Sequence, residues 1–323
     1  MISVFVGGEA LRDGGSPVRR LKTVSIALFI ISMILIGAHL YITGFVKDKT
    51  GPVFHVDSNL VEVSVKDNEE AWLKGVTATD AADGDVTDSI IVEGISPFTG
   101  TQRRIVTFAA FDSDNHVTHG KREIVYTDYE PSRFNLGKQL SFAMNSTNLL
   151  DGITAEDSID GDVTKSVKMM SDEEIDVAHV GEYPARLKVT NSAGGVSYLP
   201  ITVEIHDPTA YYRLPKIQLR QNVVYVERGS DFDEEEYLDS ITINGTKFTL
   251  TDESETYGSY NSGSDETDHT IGYDRVEIES EVDTDVSGYY EVIYTFQDTV
   301  STTGTGKARL YVVVTDRRNG ANE

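Results

Sequence analysis

A sixteen-residue segment of this chain recurs in a near copy. Gly75 to Ile90 reads GVTATDAADGDVTDSI and Gly152 to Val167 reads GITAEDSIDGDVTKSV, identical at ten of sixteen positions with apolar swaps at two more. Self-similarity at a fixed spacing marks a duplicated structural unit, here with a period of just under 80 residues.

A second block locates the end of each unit. Residues 181–191, GEYPARLKVTN, place Tyr183, Ala185, Leu187 and Val189 on one face of a strand. A turn at Asn191 to Gly195 and a second strand, VSYLPITVEI, follow, closing at Asp207. The same frame in the first unit gives Arg104, Val106, Phe108 and Ala110, a turn at Asp112 to Asn115, and a close at Asp128. Near the C-terminus GYYEVIYTFQD puts Tyr290, Val292, Tyr294 and Phe296 on the equivalent face, and ARLYVVVTD closes at Asp316. A third, more divergent unit is therefore expected. Thr127 to Pro131 and His206 to Pro215 read as short, proline-stiffened linkers.

Within each unit, short strands separated by turn residues and almost no helical periodicity predict a β-sandwich of immunoglobulin-like size. The expected class is all-β: three tandem Ig-like sandwiches at 51–130, 131–208 and 215–318. A polar stretch at 251–272 has no apolar periodicity and reads as a loop.

Before the repeats, Val24 to Val46 reads VSIALFIISMILIGAHLYITGFV, without a charged residue. At about 1.5 Å per residue such a helix crosses a bilayer core of roughly 30 Å. The expected anchor covers 23–46, after a tail at 1–22. A cleavable signal peptide ending near Ala38 is the rival, disfavoured because the apolar run continues to Val46 and Ile36 is poor before a cleavage site. Arg19, Arg20 and Lys22 before the span predict a cytoplasmic N-terminus and extracytoplasmic repeats.

Charge and cysteine narrow the function classes. Lys and Arg number 28 against 53 Asp and Glu, a net charge of −25 that repels nucleic acid. Residues 1–46 hold four basic groups against two acidic ones, leaving 24 against 51, or −27, beyond them. The chain has no cysteine, so disulfides, thiolate metal sites and thiol nucleophiles are excluded.

The motif G-[VI]-T-A-x-D-x-x-D-G-D-V-T, followed by the G-x-Y strand block and a closing strand, resembles the bacterial Ig-like surface repeat first recognised in a pesticidal crystal protein. The first two units carry it as Asp80, Asp83, Gly84, Asp85 and Thr87, and as Asp157, Asp160, Gly161, Asp162 and Thr164. The first departs at Gln102 and Arg104, where the pattern has Gly and Tyr, and the third keeps Gly288, Tyr290, Tyr294 and Asp298 without the acidic motif. The resemblance implies tandem extracellular modules of Gram-positive surface proteins, with no catalytic residues to carry over.

The acidic motif admits two readings. Asp80, Asp83 and Asp85, with Asp157, Asp160 and Asp162, are hard oxygen donors of the kind Ca²⁺ takes, but Gly84 and Gly161 interrupt the acids where an EF-hand loop would not. The reading favoured is a turn with glycine at positive φ and carboxylates accepting local backbone N–H groups. A catalytic carboxylate pair is disfavoured because turn acids lack an enclosing pocket. His116 and His119, in a loop, are a weak zinc candidate. Catalytic, cofactor-binding and metal residues are therefore expected to be none.

Tyr211, Tyr212, Tyr257, Tyr260 and Tyr273 are candidate exposed contact residues. Asn145 and Asn244 match the glycosylation sequon. The function expected is a non-catalytic, membrane-anchored surface protein that presents modules for adhesion or for protein or glycan binding, or acts as a spacer. The alternatives are an envelope-complex subunit held through Ser25, Ser32 and Gly37 of its helix, or a wall-carbohydrate binder with its site in the third module.

Overall fold

The structure, a computed structural model, describes residues 17–42, 49–100, 102–252, 270–298 and 304–316. They form two compact units, one of residues up to 59 with 73–94 and 107–121, the other of the remainder. A long helix, Pro17–Tyr41, precedes six β-sheets. It starts before the expected residue 23: Pro17 suits a first turn, whose N–H would have no partner anyway, and the following Arg and Lys residues propagate a helix well. From Leu21 to Ile42 every residue is exposed. The expected end of the span at 46, and residues 1–16 of the tail, lie outside the described residues.

The sheets come as three pairs in chain order. In the first repeat Val53–Val56 runs antiparallel to Val76–Asp80, which pairs on with Gly84–Asp85. Its second sheet has the order Leu60–Val63, Val117–Tyr126, Arg103–Phe111, Ile91–Ile95, with the first of these parallel to its neighbour. The second repeat copies this. Arg133–Leu136 pairs with Ile153–Asp157 and then Gly161–Asp162, while Lys168–Met170, Gly181–Thr190, Val196–His206 and Ser141–Ala143 form the other sheet.

The third repeat keeps the larger sheet as Val223–Glu227, Gly304–Thr315, Gly288–Asp298 and Val276–Ser280. Where the acidic turn would stand, Leu238–Ile243 instead turns at Asn244–Gly245 into Thr246–Thr251. Asn244 and Gly245 have φ of +50° and +86°, the pair of positive φ values a two-residue type I′ hairpin requires. The Asn244 sequon match thus lies in a hairpin turn. Thr251 belongs to a strand and Thr270–Gly272 forms another, so the expected loop at 251–272 is narrower; residues 253–269 lie outside the described residues.

Period-two alternation builds the cores. In the first repeat the Phe54 and Phe108 rings meet edge to face at 4.9 Å, and a Cβ on Gly120 would lie 2.3 Å from the Phe108 ring. In the second, Leu187, Val189, Leu199 and Val203 of one sheet pack on Phe134, Leu136 and Ile153 of the other. In the third, Tyr294, Phe296, Leu310 and Val312 pack on Leu238 and Ile241.

One strand serves two of these cores. Along Gly304–Thr315, Ala308, Leu310, Val312 and Val314 enter the third core, while Tyr311 and Val313 join Val223 in the second. The Tyr311 hydroxyl donates to Thr202 O and accepts from Thr202 N, both at 3.0 Å. Burial pushes that phenol well above its ordinary pKa. The Tyr225 hydroxyl accepts from Phe134 N at 2.7 Å, its own pKa pushed up to about 12 by burial. Gln139 donates to Arg309 O and Asn222 Oδ1, and its Oε1 accepts from Arg309 N at 2.7 Å. Arg309, 6% exposed, is paired with Glu182 at 2.6 Å.

The expected linker at His206 to Pro215 is therefore spanned by a packed joint rather than left as a bare connection. Tyr311→Phe keeps the packing and leaves two backbone groups of Thr202 short of a partner. Urea denaturation of this variant is expected to show a loss of about 1–3 kcal/mol of stability.

Candidate functional site

Each acidic motif folds into a turn that its own carboxylates hold. Asp80 Oδ1 accepts from Ala82 N at 2.8 Å and Asp83 N at 3.0 Å, and Asp157 Oδ1 does the same for Ile159 N and Asp160 N at 2.9 and 3.2 Å. Gly84 and Gly161 follow with φ of +77° and +68°, the conformation that keeps glycine at that place. Asp85 and Asp162 each accept from the N–H of the threonine two residues on, at 3.0 and 2.9 Å. The hydroxyl of that threonine, and then its N–H, hold both carboxyls below the usual carboxylate range. Thr87 and Thr164 then turn their hydroxyls back to accept from Ala78 N and Ala155 N.

The middle aspartate fastens the turn to the hairpin after the G-x-Y strand block. Asp83 accepts from Ser113 N and Oγ at 2.7 and 2.9 Å, and Asp160 from Ser192 N and Oγ at 2.5 and 2.6 Å. A turn and a hairpin some 30 residues apart are thereby locked in both repeats. Sequence reading had the turn but not this tie; a Ser directly after Asp112 and Asn191 was the available signal.

The two copies differ at the buried aspartate. Asp157 Oδ2 accepts from Ser132 Oγ at 2.6 Å and Asn191 Nδ2 at 3.0 Å, and Asn191 Nδ2 also donates to the Tyr129 hydroxyl. By register, Pro52 and Asp112 occupy the equivalent places in the first repeat. Neither an imino acid nor a carboxylate supplies a donor, and Asp80 Oδ2 has no hydrogen-bond partner among the described residues.

The structure brings the three acids of each motif to one turn but directs them at N–H and hydroxyl groups. Among the described residues no three His, Asp or Glu side chains gather in a cluster fit for a metal ion. The zinc candidates diverge: His116 Nδ1 lies 2.6 Å from Asp112 Oδ2, and His119 Nε2 lies 3.2 Å from Glu93 Oε1. Of the candidate contact tyrosines, Tyr212 is 88% exposed, whereas Tyr211 stacks on His206 at 3.7 Å, and burial raises its phenol pKa. Tyr273 is half-buried against the third core; Tyr257 and Tyr260 lie outside the described residues.

No protein-family model and no curated protein matches the chain. Among solved structures, CBM51-2 in complex with GlcNAc and INT domains from Clostridium perfringens ZmpB is similar at 16% identity over 46% of this chain and 26% of that one, TM-score 0.20. The lipoprotein BT2262 from Bacteroides thetaiotaomicron is similar at 14% identity over 56% of this chain and 98% of that one, TM-score 0.21. The protocadherin GammaB4 extracellular domain is similar at 12% identity over 84% of this chain and 51% of that one, TM-score 0.18. The chain spans about a quarter of the ZmpB chain and about half of the protocadherin one. Likeness this slight carries no statement about ligand or activity.

Three outcomes are expected of the turns. Ser132→Ala and Asn191→Ala each remove a donor from buried Asp157 and cost about 1–3 kcal/mol in chemical denaturation. Acidification weakens the fold: because Asp85 and Asp162 titrate lower in the folded than in the unfolded chain, their contribution is present at neutral pH and is lost as pH falls below about 4. A pH series of melting temperatures checks the sign. Millimolar Ca²⁺ leaves the melting temperature unmoved, whereas a cation site formed only in the folded state would raise it.

Proposed function

We propose that the chain is a non-catalytic, single-pass membrane protein with a cytoplasmic N-terminus and an extracytoplasmic array of three Ig-like modules at 51–130, 131–208 and 215–318. The array presents a binding surface away from the bilayer. The carrying observation is the helix: an apolar stretch, Leu21–Tyr41, is exposed around its whole circumference and is long enough to cross a bilayer, whose hydrocarbon would cover it. Sidedness is supported by Arg19, Arg20 and Lys22 in the first turns of the helix, ahead of its uncharged run.

The module type we assign is the bacterial surface repeat that the DGDVT motif resembles, supported by the paired turns and their serine ties. A role without chemistry is supported by how the acids are engaged: carboxylates already bonded to backbone N–H groups are poor proton donors or nucleophiles. In bacterial spheroplasts, externally added trypsin is expected to digest the repeats of an unshortened chain while an N-terminal tag stays protected. Protected repeats, or a chain shortened near Ala38, would overturn the reading.

A further inference from the structure

A cleft of about 420 Å³ opens where the second and third sheet pairs meet. Its volume lies within the roughly 300–1,000 Å³ of small-ligand sites. One wall is the outer face of the second repeat's central hairpin, with Pro184 and Arg186 on one strand opposite Thr202 and Pro200 on the next. The other wall is the third repeat's larger sheet, with Tyr289 and Glu291. The packed joint, with Tyr311 at the cleft and bonded to Thr202, fixes the walls relative to each other, so the cleft is preformed.

Three features define what it would take. Tyr289 is 52% exposed near the start of its strand, where it pairs with Val313 on one side only, and offers a flat aromatic face with a phenol at its rim. Arg186 is oriented by one hydrogen bond to Asp172 at 3.1 Å, one donor of the five a guanidinium carries. Charges cancel locally, Arg186 against Asp172, and Arg309 with Lys307 against Glu182 and Glu291, so the cleft favours no ionic ligand. A rigid aromatic face beside fixed donors and acceptors suits a ring with one C–H face and a rim of hydroxyls.

An extended peptide fits less well. Where the hairpin lines the cleft its outward main-chain groups are already used or missing: Tyr311 takes Thr202 N and O, Ser171 Oγ donates to Pro184 O, and Pro184 and Pro200 have no N–H, which leaves little for strand addition. From these observations, the geometry points to a binding site for a short neutral saccharide in this cleft, stacked on Tyr289 and hydrogen-bonded by Arg186 and Thr202.

The site deepens the surface-presentation reading and rests on it for access to extracellular glycans. The two fail separately, since protease accessibility reads sidedness and the following measurement reads the cleft alone. The full chain, in a polyoxyethylene detergent free of sugar headgroups, is examined by saturation-transfer NMR with cellobiose, chitobiose, maltose and lactose. At least one disaccharide is expected to receive saturation at its ring protons. Tyr289→Ala and Arg186→Ala should each weaken that binding about tenfold, and Tyr289→Phe should retain it. Unchanged circular dichroism and melting of the variants separate a lost contact from a lost fold. Saturation of none of the four sugars, binding undiminished in folded Tyr289→Ala, or binding of decaproline in place of every sugar would overturn the assignment.

Discussion

From Ala308 to Val314 the strand Gly304–Thr315 is buried on both faces, and the arrangement of the second and third repeats depends on it. Alternating side chains normally give a strand one face for the core and one for water. Here Leu310, Val312 and Val314 fill one core while Tyr311 and Val313 fill another. Fully burying an aliphatic side chain contributes about 1.5–3 kcal/mol, so removing the second repeat would expose an apolar face at considerable cost. The polar groups at the joint are matched to that burial. Tyr311 satisfies both backbone groups of Thr202, Gln139 bridges Asn222 and Arg309, and Arg309 meets Glu182 from across the joint. The cleft that holds Tyr289 and Arg186 is a consequence of two sheets meeting at a fixed angle.

Much of the fold was legible because it is local. The strands Arg103–Phe111 and Gly288–Asp298 fall where alternation put them, and the turn after each G-x-Y strand block sits where Asp112 and Asn191 predicted it. The joint was not legible as a joint, since it depends on residues far apart in sequence such as Gln139 and Arg309. One trace was present all the same. LYVVV at 310–314 is apolar at every position, the pattern of a strand covered on both faces. The hairpin at Asn244–Gly245 is another: an Asn-Gly pair between two β-rich runs signals a type I′ turn more strongly than it signals a sugar attachment.

The acidic motif is held by partners that composition alone does not show. Three aspartates within six residues suggest a cation, yet all six carboxyl groups in the two copies accept from N–H or hydroxyl groups, Asp83, Asp157 and Asp160 through both oxygens and Asp80, Asp85 and Asp162 through one. What distinguishes the copies lies outside the motif. Ser132 and Asn191 complete the shell of Asp157, and Pro52 and Asp112 leave that of Asp80 incomplete. Nothing in the sixteen-residue segment could have shown that difference, because both donors lie outside it, beside the strands Arg133–Leu136 and Gly181–Thr190.

If the shared strand couples the two repeats, they must open together. Hydrogen–deuterium exchange of the full chain, followed by mass spectrometry, reads this directly. Peptides covering 181–206 and 288–315 should exchange with the same opening free energy, and Tyr311→Ala should accelerate both. Two distinct opening energies, with acceleration confined to 288–315 in the variant, would contradict the account.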